Sequence, residues 1–397
     1  MFPCESVYEL RADLPLHTPV ARVAAHEHGS GNSAGPGEGG GVKFVRKTSY
    51  DYDLRLFPEP ADRFWYTLLA VALLAAPVLL PPYFLGQAVL VGIYAIAGFG
   101  LMLLAGYTGQ ISLGHAAFFA VGAYTTAVLE KSLPFALSFP AAGLVAGAVG
   151  VLVGLPALRL SGIYLAIGTL ASSFIISEVI TRWESVTRGA SGFPISKIRI
   201  GDILVDTDAK LYYLVIAVAV VSFWLGRNIL RSPLGIAMMA IRDSQTAAQS
   251  VGVPLARVKL IAFALSAALT GLAGALYAHK IQFIDPDQFT LLLSVELLVV
   301  IFIGGIGSLH GCVFGAVFII TLPQAIAILK DHVPAYLAQQ TGLQAAVYAI
   351  LLLGFILFEP RGLYGIWQKI TRYFSLFPHY QKDSQKDQRS HARGESW

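Results

Sequence analysis

The polar residues most able to do chemistry in this sequence lie between two apolar runs, in the decapeptide Gly106–His115 (GYTGQISLGH). Hydrogen-bonding side chains mixed with glycines suit a broken helix that packs inside a bundle or lines a cavity. We therefore predict a translocation or gating role for seven of these residues, against the alternative of a tight interhelical turn: Gly106, Thr108, Gly109, Gln110, Ser112, Gly114 and His115. A neutral, hydrogen-bonded state is expected for the histidine, rather than proton or metal chemistry.

A second segment, 304–311 (GGIGSLHG), has a similar texture. Both segments combine Ser-Leu with glycine and histidine, which hints at an internal repeat or at coincidence. Glycine-interrupted segments in two halves of a chain point to a transport path, so Gly304, Gly305, Gly307 and Ser308 join the candidates. Glu296 lies in the apolar run before them, where a carboxylate is costly unless it is paired or hydrated. It is either functional or a structural hydrogen-bonding group.

A third candidate region connects two apolar runs at 231–254. Pro233 fits the first position of a helix, residues 234–250 have helical character, and Gly252 with Pro254 ends it. A compact helix of this kind suits docking into a groove on a cytosolic partner; the alternative is a solvated interfacial helix. The residues predicted to carry this coupling are Arg242, Asp243, Ala247, Ala248, Gln249 and Gly252.

The elements that must position these residues are membrane spans. Hydrophobic residues make up 55% of the 397 residues, charged residues only 13%, and the mean hydropathy is +0.64. A soluble domain could not cover its surface with so few charges. Because backbone groups in lipid must bond internally, the spans are helices. We predict an all-α, polytopic bundle of ten spans at 64–82, 87–105, 113–129, 135–157, 161–181, 211–226, 257–278, 291–307, 309–329 and 342–358, or eight or nine if a segment is re-entrant.

Charge asymmetry predicts the orientation. The segment 227–259 holds five Lys/Arg and one acid, and the chain from Glu359 holds seven Lys/Arg and four acids. The positive-inside rule places both in the cytoplasm, which ten spans with a cytoplasmic N-terminus satisfy. The segment 182–210 is then outside. Its nearly balanced charges and Trp183, Arg188 and Arg199 make it a candidate docking surface.

Outside the spans, we predict three regions. Residues 1–63 form a flexible cytoplasmic tail with a Gly-rich linker at 29–41, with a folded mini-domain before the linker as the alternative. Residues 64–358 form the transmembrane domain, and 359–397 form a basic cytoplasmic tail. No signal peptide is recognised. Cys4 and Cys312 form no disulfide framework, no metal or other cofactor is expected, and the scattered bases indicate no nucleic-acid partner.

The motifs resemble a known family. Residues 106–115 followed by AAFFAVGAY, the segment 294–297 followed by GGIGSLHGCVFGA, and RDSQTAAQSVGV before RVKLIAFALSAALTGLAGALYA are similar in order to branched-chain amino-acid ABC importer permeases, specifically the LivM-type subunit. The resemblance covers roughly residues 65–365. Gln249 stands where related coupling segments usually carry glutamate, which could weaken one contact with an ATPase.

The resemblance implies a transport subunit of the bacterial plasma (inner) membrane, not an enzyme. Its implied partners are two ATP-binding cassette ATPases, a second homologous permease, a periplasmic solute-binding protein and membrane lipid. The chain contains no G-x-x-x-x-G-K-[ST] motif, so ATP binding is expected in the separate subunits. The implied substrate class is branched-chain, hydrophobic amino acids, with urea or amides as the alternative.

Two other functions remain open. An ion-coupled secondary transporter is expected to hold several carboxylates at membrane depth, and here Glu296 and His115 are the candidates. An integral-membrane enzyme or scaffold is the other alternative, and the sequence contains neither HExxH nor CxxC.

Overall fold

The computed structural model describes residues 60–200, 203–330, 348–350, 352–354, 357 and 362–376, and most of them are helical. The helices are α1 Pro60–Leu79, α2 Pro82–Leu101, α3 His115–Leu129, α4 Phe135–Ala157, α5 Ile163–Arg182, α6 Glu184–Thr187, α7 Asp208–Arg231, α8 Pro233–Asp243, α9 Gln245–Ser250, α10 Leu255–Ile281, α11 Leu291–Gly304, α12 Leu309–Lys330 and α13 Gly362–Leu376. A π-helical turn, Met102–Tyr107, extends α2, and 3₁₀ turns cover Gly189–Ser191 and Pro286–Gln288.

Seven helical stretches of the described residues are long and apolar enough to cross a membrane: 82–107, 135–157, 163–182, 208–231, 255–281, 286–304 and 309–327. The all-α polytopic class is confirmed, whereas the count of ten spans is not. The apolar helix at 115–129 has 15 residues, about 22 Å at ~1.5 Å per residue, which is short for a ~30 Å hydrocarbon core. Much of the predicted span 342–358 and of both predicted tails lies outside the described residues.

Several predicted boundaries differ from the observed ones. The first helix begins at Pro60, four residues before the predicted span. The helix of the third predicted span begins at His115, two residues after the predicted start, because residues 109–114 are not helical. The span predicted to reach 307 ends at Gly304, since Gly305 and Gly307 have φ of +113° and +88°. The predicted C-terminal tail contains the helix α13, which packs against α11 and α12.

α10 lies at the centre of the bundle, where it packs against α2, α3 and α4. Small residues make this close packing possible. A Cβ on Gly122 would collide with the backbone of Gly271, and one on Gly274 would collide with the backbone of Phe119. Close backbone approach at small residues is how helices associate in lipid, where burial of apolar side chains gives no advantage.

One end of the bundle, the hairpin end, carries short strands that the all-α prediction omits. β1 (Phe193–Pro194) pairs antiparallel with β4 (Phe283–Ile284), and β2 (Ile198–Ile200) pairs with β3 (Ile203–Val205). At the same end, Lys280 at the end of α10 donates to Asp208 at the start of α7 (Nζ–Oδ1, 2.7 Å). The opposite end, the α8 end, holds α8, α9, both glycine-rich segments and the start of α13.

Candidate functional site

Most polar side chains of the first glycine-rich segment are buried, and among the described residues Gln110 Nε2 has no hydrogen-bond partner. Thr108, Gln110, Ser112 and His115 are each no more than 3% exposed, whereas Gly109 is exposed. The Thr108 hydroxyl donates to the carbonyl of Leu103 at 2.8 Å, within the turn that closes α2. The segment is therefore packed within the bundle, as the predicted turn or broken helix requires.

His115 is held through both ring nitrogens. Nδ1 lies 3.1 Å from Ser112 Oγ, and Nε2 lies 2.7 Å from Ser266 Oγ on α10. Its ring also packs edge-on against Phe118. The imidazole is buried and hydrogen-bonded at both nitrogens, as the hydrogen-bonded state predicted from the sequence requires, and its neutral charge stays a prediction.

Neighbouring helices supply the remaining partners of this segment. Ser294 Oγ on α11 accepts from the Ala116 amide at 2.9 Å, and Thr169 Oγ1 on α5 accepts from the Leu113 amide at 3.0 Å. These hydroxyls satisfy amides that the break between α2 and α3 frees from helical hydrogen bonds. Sequence reasoning missed Ser266, Ser294 and Thr169, because nothing local marks them as partners of residues 56 to 178 positions away.

The second glycine-rich segment is held mainly by close backbone packing. A Cβ on Gly304 would collide with the carbonyl of Gly311, and one on Gly315 would collide with the carbonyl of Val300. Gly362, the first residue of α13, packs onto Gly305 in the same way. Of the other predicted residues, Ser308 is buried and its Oγ accepts from the Gly311 amide at 3.2 Å.

The structure brings the two segments together at the α8 end. Tyr107 Oη donates to the Gly307 carbonyl at 2.8 Å, and the Gly307 amide donates to Met102 Sδ at 3.2 Å. Both peptide groups of Gly307 are thus bonded to side chains of the π-helical turn. Such turns occur often at functional sites.

Glu296 lies apart from that junction. Tyr94 Oη donates to Glu296 Oε2 at 3.1 Å, and Tyr277 and Tyr348 lie close enough for electrostatic interaction with the carboxyl group. The side chain is half-buried. Tyr94 is thus a hydrogen-bond partner of Glu296 that the sequence did not identify. The functional and the structural role predicted for Glu296 both stay predictions.

The α8–α9 connection forms two helices where the sequence suggested continuous helical character over 234–250. Ser244 separates them and caps α9, its Oγ accepting from the Ala247 amide at 3.3 Å. Pro233 stands in the first turn of α8, as predicted. Gly252 follows α9 with φ of +88° and open space around it, so backbone conformation rather than crowding favours glycine there.

All but one of the predicted coupling residues are exposed: Arg242, Asp243, Ala247, Gln249 and Gly252, with 38% of the Arg242 side chain accessible. Ala248 is 3% exposed and packs in a cluster that includes Met238 and Phe263. Its side chain anchors α9 to the bundle, and the predicted coupling role of this residue stays a prediction.

The predicted docking residues at the hairpin end are all exposed: Trp183 (56%), Arg188 and Arg199. The guanidinium of Arg188 also lies 5.2 Å from the centre of the Phe193 ring. A hydrogen bond from Lys210 lowers the pKa of Asp206 nearby. A shallow cavity of about 790 Å³ on α5 is lined by Phe174, Ile175, Ser177, Glu178, Val179, Arg182 and Trp183.

Comparison with known proteins shows that the sequence matches a transport family. The family described as "Branched-chain amino acid transport system / permease component" matches residues 83–358. The chain is 32% identical over 297 residues to the high-affinity branched-chain amino acid transport system permease protein LivM of Escherichia coli (strain K12), covering 68% of this chain and 70% of that protein. It is 33% identical over 266 residues to LivM of Salmonella typhimurium, covering 60% and 63%.

A more distant relative is the autoinducer 2 import system permease protein LsrC of Escherichia coli O9:H4, 26% identical over 68% of this chain and 80% of that protein. No solved structure matches. The resemblance found in the sequence motifs is confirmed, and the chain belongs to the branched-chain amino acid ABC transport permease family.

Proposed function

We propose that this chain is the LivM-type permease subunit of an ATP-driven importer in a bacterial inner membrane. It works with two ATP-binding cassette ATPases, a second homologous permease and a periplasmic solute-binding protein. The family and the two LivM relatives support this proposal. The sequence contains no phosphate-binding loop, which supports hydrolysis by separate subunits.

The α8 end faces the cytoplasm in this proposal. The segment 227–259 lies at that end with five Lys/Arg and one acid, and cytoplasmic loops carry such an excess. The hairpin end then faces the periplasm, where Trp183 and Arg199 are exposed for the binding protein. Both chain termini are cytoplasmic, and exposed apolar side chains on α4 and α5 face lipid or the second permease.

The observation that supports the coupling role is that α9 packs on the bundle through one buried residue and exposes its polar side chains. Ala248 is buried against the bundle while Gln245, Thr246 and Gln249 on the same short helix are exposed. A protruding polar helix fixed by one buried face is suited to transmit the movement of an ATPase into the spans. The exposed Gln249 supplies a neutral contact where related proteins carry glutamate.

The substrate in this proposal is a branched-chain, hydrophobic amino acid, as the names of the LivM relatives suggest. LsrC, named for autoinducer 2 import, shows that related permeases are also named for other solutes. Binding of leucine, isoleucine, valine and urea to the partner binding protein, by calorimetry, separates the amino-acid importer from the urea or amide alternative.

Cysteine cross-linking tests the docking surface directly. In a background with Cys4 and Cys312 replaced by serine, Gln249→Cys is expected to form a disulfide with a cysteine introduced on the ATPase surface. Ser196→Cys, exposed at the hairpin end, is the matched control and is expected to form none. Cross-linking of the control and not of Gln249→Cys would reverse the proposed orientation.

A further inference from the structure

We infer that Arg242 is the positioning residue that joins α8 to both glycine-rich segments and carries the movement of the ATPases into them. The inference rests on the proposed function, in which α8 and α9 receive that movement. Arg242 differs from the exposed Asp243 and Gln249, because its side chain, although 38% exposed, also contacts the bundle.

The guanidinium group of Arg242 reaches the first segment at the turn that ends α2. Nη1 donates to the carbonyl of Gly106 at 3.2 Å. The aliphatic stem lies on Gly109: a Cβ added to this glycine would stand 3.1 Å from Cγ and 3.4 Å from Cα of Arg242. Gly109 has φ of +70°, so glycine is favoured there by conformation as well as by space.

The same guanidinium group lies beside the second segment. A Cβ added to Gly307 would stand 3.5 Å from Arg242 Nη1. Because Tyr107 and Met102 bond both peptide groups of Gly307, displacement of Arg242 would act on the two segments together.

The residues next to Arg242 do not contact the glycine-rich segments in the same way. Asp243 is mostly exposed, and its contact with Arg242 Nε is a long 3.3 Å; exposed pairs of this kind contribute little. On α9, Gln245 accepts from Lys259 Nζ of α10 at 2.9 Å, which fixes α9 to the start of a span. Arg242 is the coupling residue whose side chain reaches the breaks between spans.

The test uses the complete complex in vesicles, with leucine as the probe and both leucine uptake and ATP hydrolysis measured. Arg242→Gln is expected to lower the leucine transported per ATP about tenfold, the order of effect when a hydrogen bond to a charged group is lost. Arg242→Lys keeps the charge but not the planar, forked guanidinium. Its ratio of leucine transported to ATP hydrolysed is expected to lie between those of the wild type and Arg242→Gln. Arg231→Gln removes an exposed charge at the same end and is expected to match the wild type.

The outcomes are separable. A wild-type ratio in Arg242→Gln overturns the inference, as does an equal loss in Arg231→Gln. A purely structural role would lower yield and unfolding temperature while leaving the ratio unchanged, and that also overturns it. If Arg242→Gln does not assemble, the ratio in Arg242→Lys decides in the same way. Absence of ATP-driven uptake in the wild type instead contradicts the proposed function.

Discussion

The two glycine-rich segments look alike in sequence but differ in what mainly supports them. The first, Gly106–His115, has a close glycine contact, Gly114 against the Thr169 carbonyl, and it and the following Ala116 are hydrogen-bonded to side chains on α5, α10 and α11. In the second, at 304–311, close backbone contact across glycines predominates, and the side-chain hydrogen bonds come from Ser308 and from the π-helical turn. Similar composition therefore permits two kinds of helix break, one fixed mainly by polar side chains of several spans and the other mainly by close backbone packing.

The largest effect is expected from adding a methyl group to the glycines that pack α11 against α12, at and just after the second segment. Gly304→Ala and Gly315→Ala each force a Cβ against a backbone carbonyl, and overpacking typically costs about 1–3 kcal/mol. We expect costs at the upper end, because backbone cannot rotate away. Thermal unfolding of the purified protein in detergent measures the loss.

Gly226→Ala is the control for this prediction. Its Cβ would stand 3.4 Å from Leu309 Cδ1, an ordinary contact, within α7. Unfolding temperatures that fall equally in all three variants would show that close packing does not distinguish the second segment.

The next largest effect is expected in the first segment. Ser266→Ala removes the partner of His115 Nε2 and leaves a buried ring nitrogen unbonded, at a cost of about 1–3 kcal/mol. Ser172→Ala is the control, since its hydroxyl bonds to the Gly168 carbonyl of its own helix. Equal stability of the two variants, measured by thermal unfolding, would contradict stabilisation of this segment by side-chain hydrogen bonds.

A smaller effect on stability is expected where the segments meet. Tyr107→Phe removes the hydrogen bond to the Gly307 carbonyl and is expected to cost about 1 kcal/mol. Its transport per ATP should fall more clearly than its stability, because the bond joins the two segments. Full coupling in this variant would mean that the segments work independently.

Glu296 gives the smallest expected effect on stability. Glu296→Gln keeps a hydrogen-bond acceptor for Tyr94, so folding should be preserved while uptake falls if the charge itself contributes to the path. Glu178→Gln, whose partner is Arg182 on the exposed face of α5, is the control. Normal uptake by Glu296→Gln would assign that residue a structural role.

The sequence predicted the features that depend on local chemistry. The apolar runs predicted most of the spans. Pro233 predicted the start of α8, and Gly252 predicted the end of α9. The pairing of the two segments and the bonds to Ser266 and Ser294 could not be predicted, because they join residues far apart in sequence whose hydroxyls look ordinary. The contacts of the partly exposed Arg242 side chain with both segments, and the packing of α13, depend on tertiary structure for the same reason.

We propose that this chain moves its substrate with energy from ATP hydrolysed by partner subunits. The decisive measurement is leucine uptake into vesicles that contain the complete complex, with ATP on the α8 side and the binding protein on the hairpin side. We expect uptake that requires hydrolysable ATP and does not respond to a proton or sodium gradient. Uptake by the chain alone, driven by such a gradient without ATPases, would contradict this mechanism.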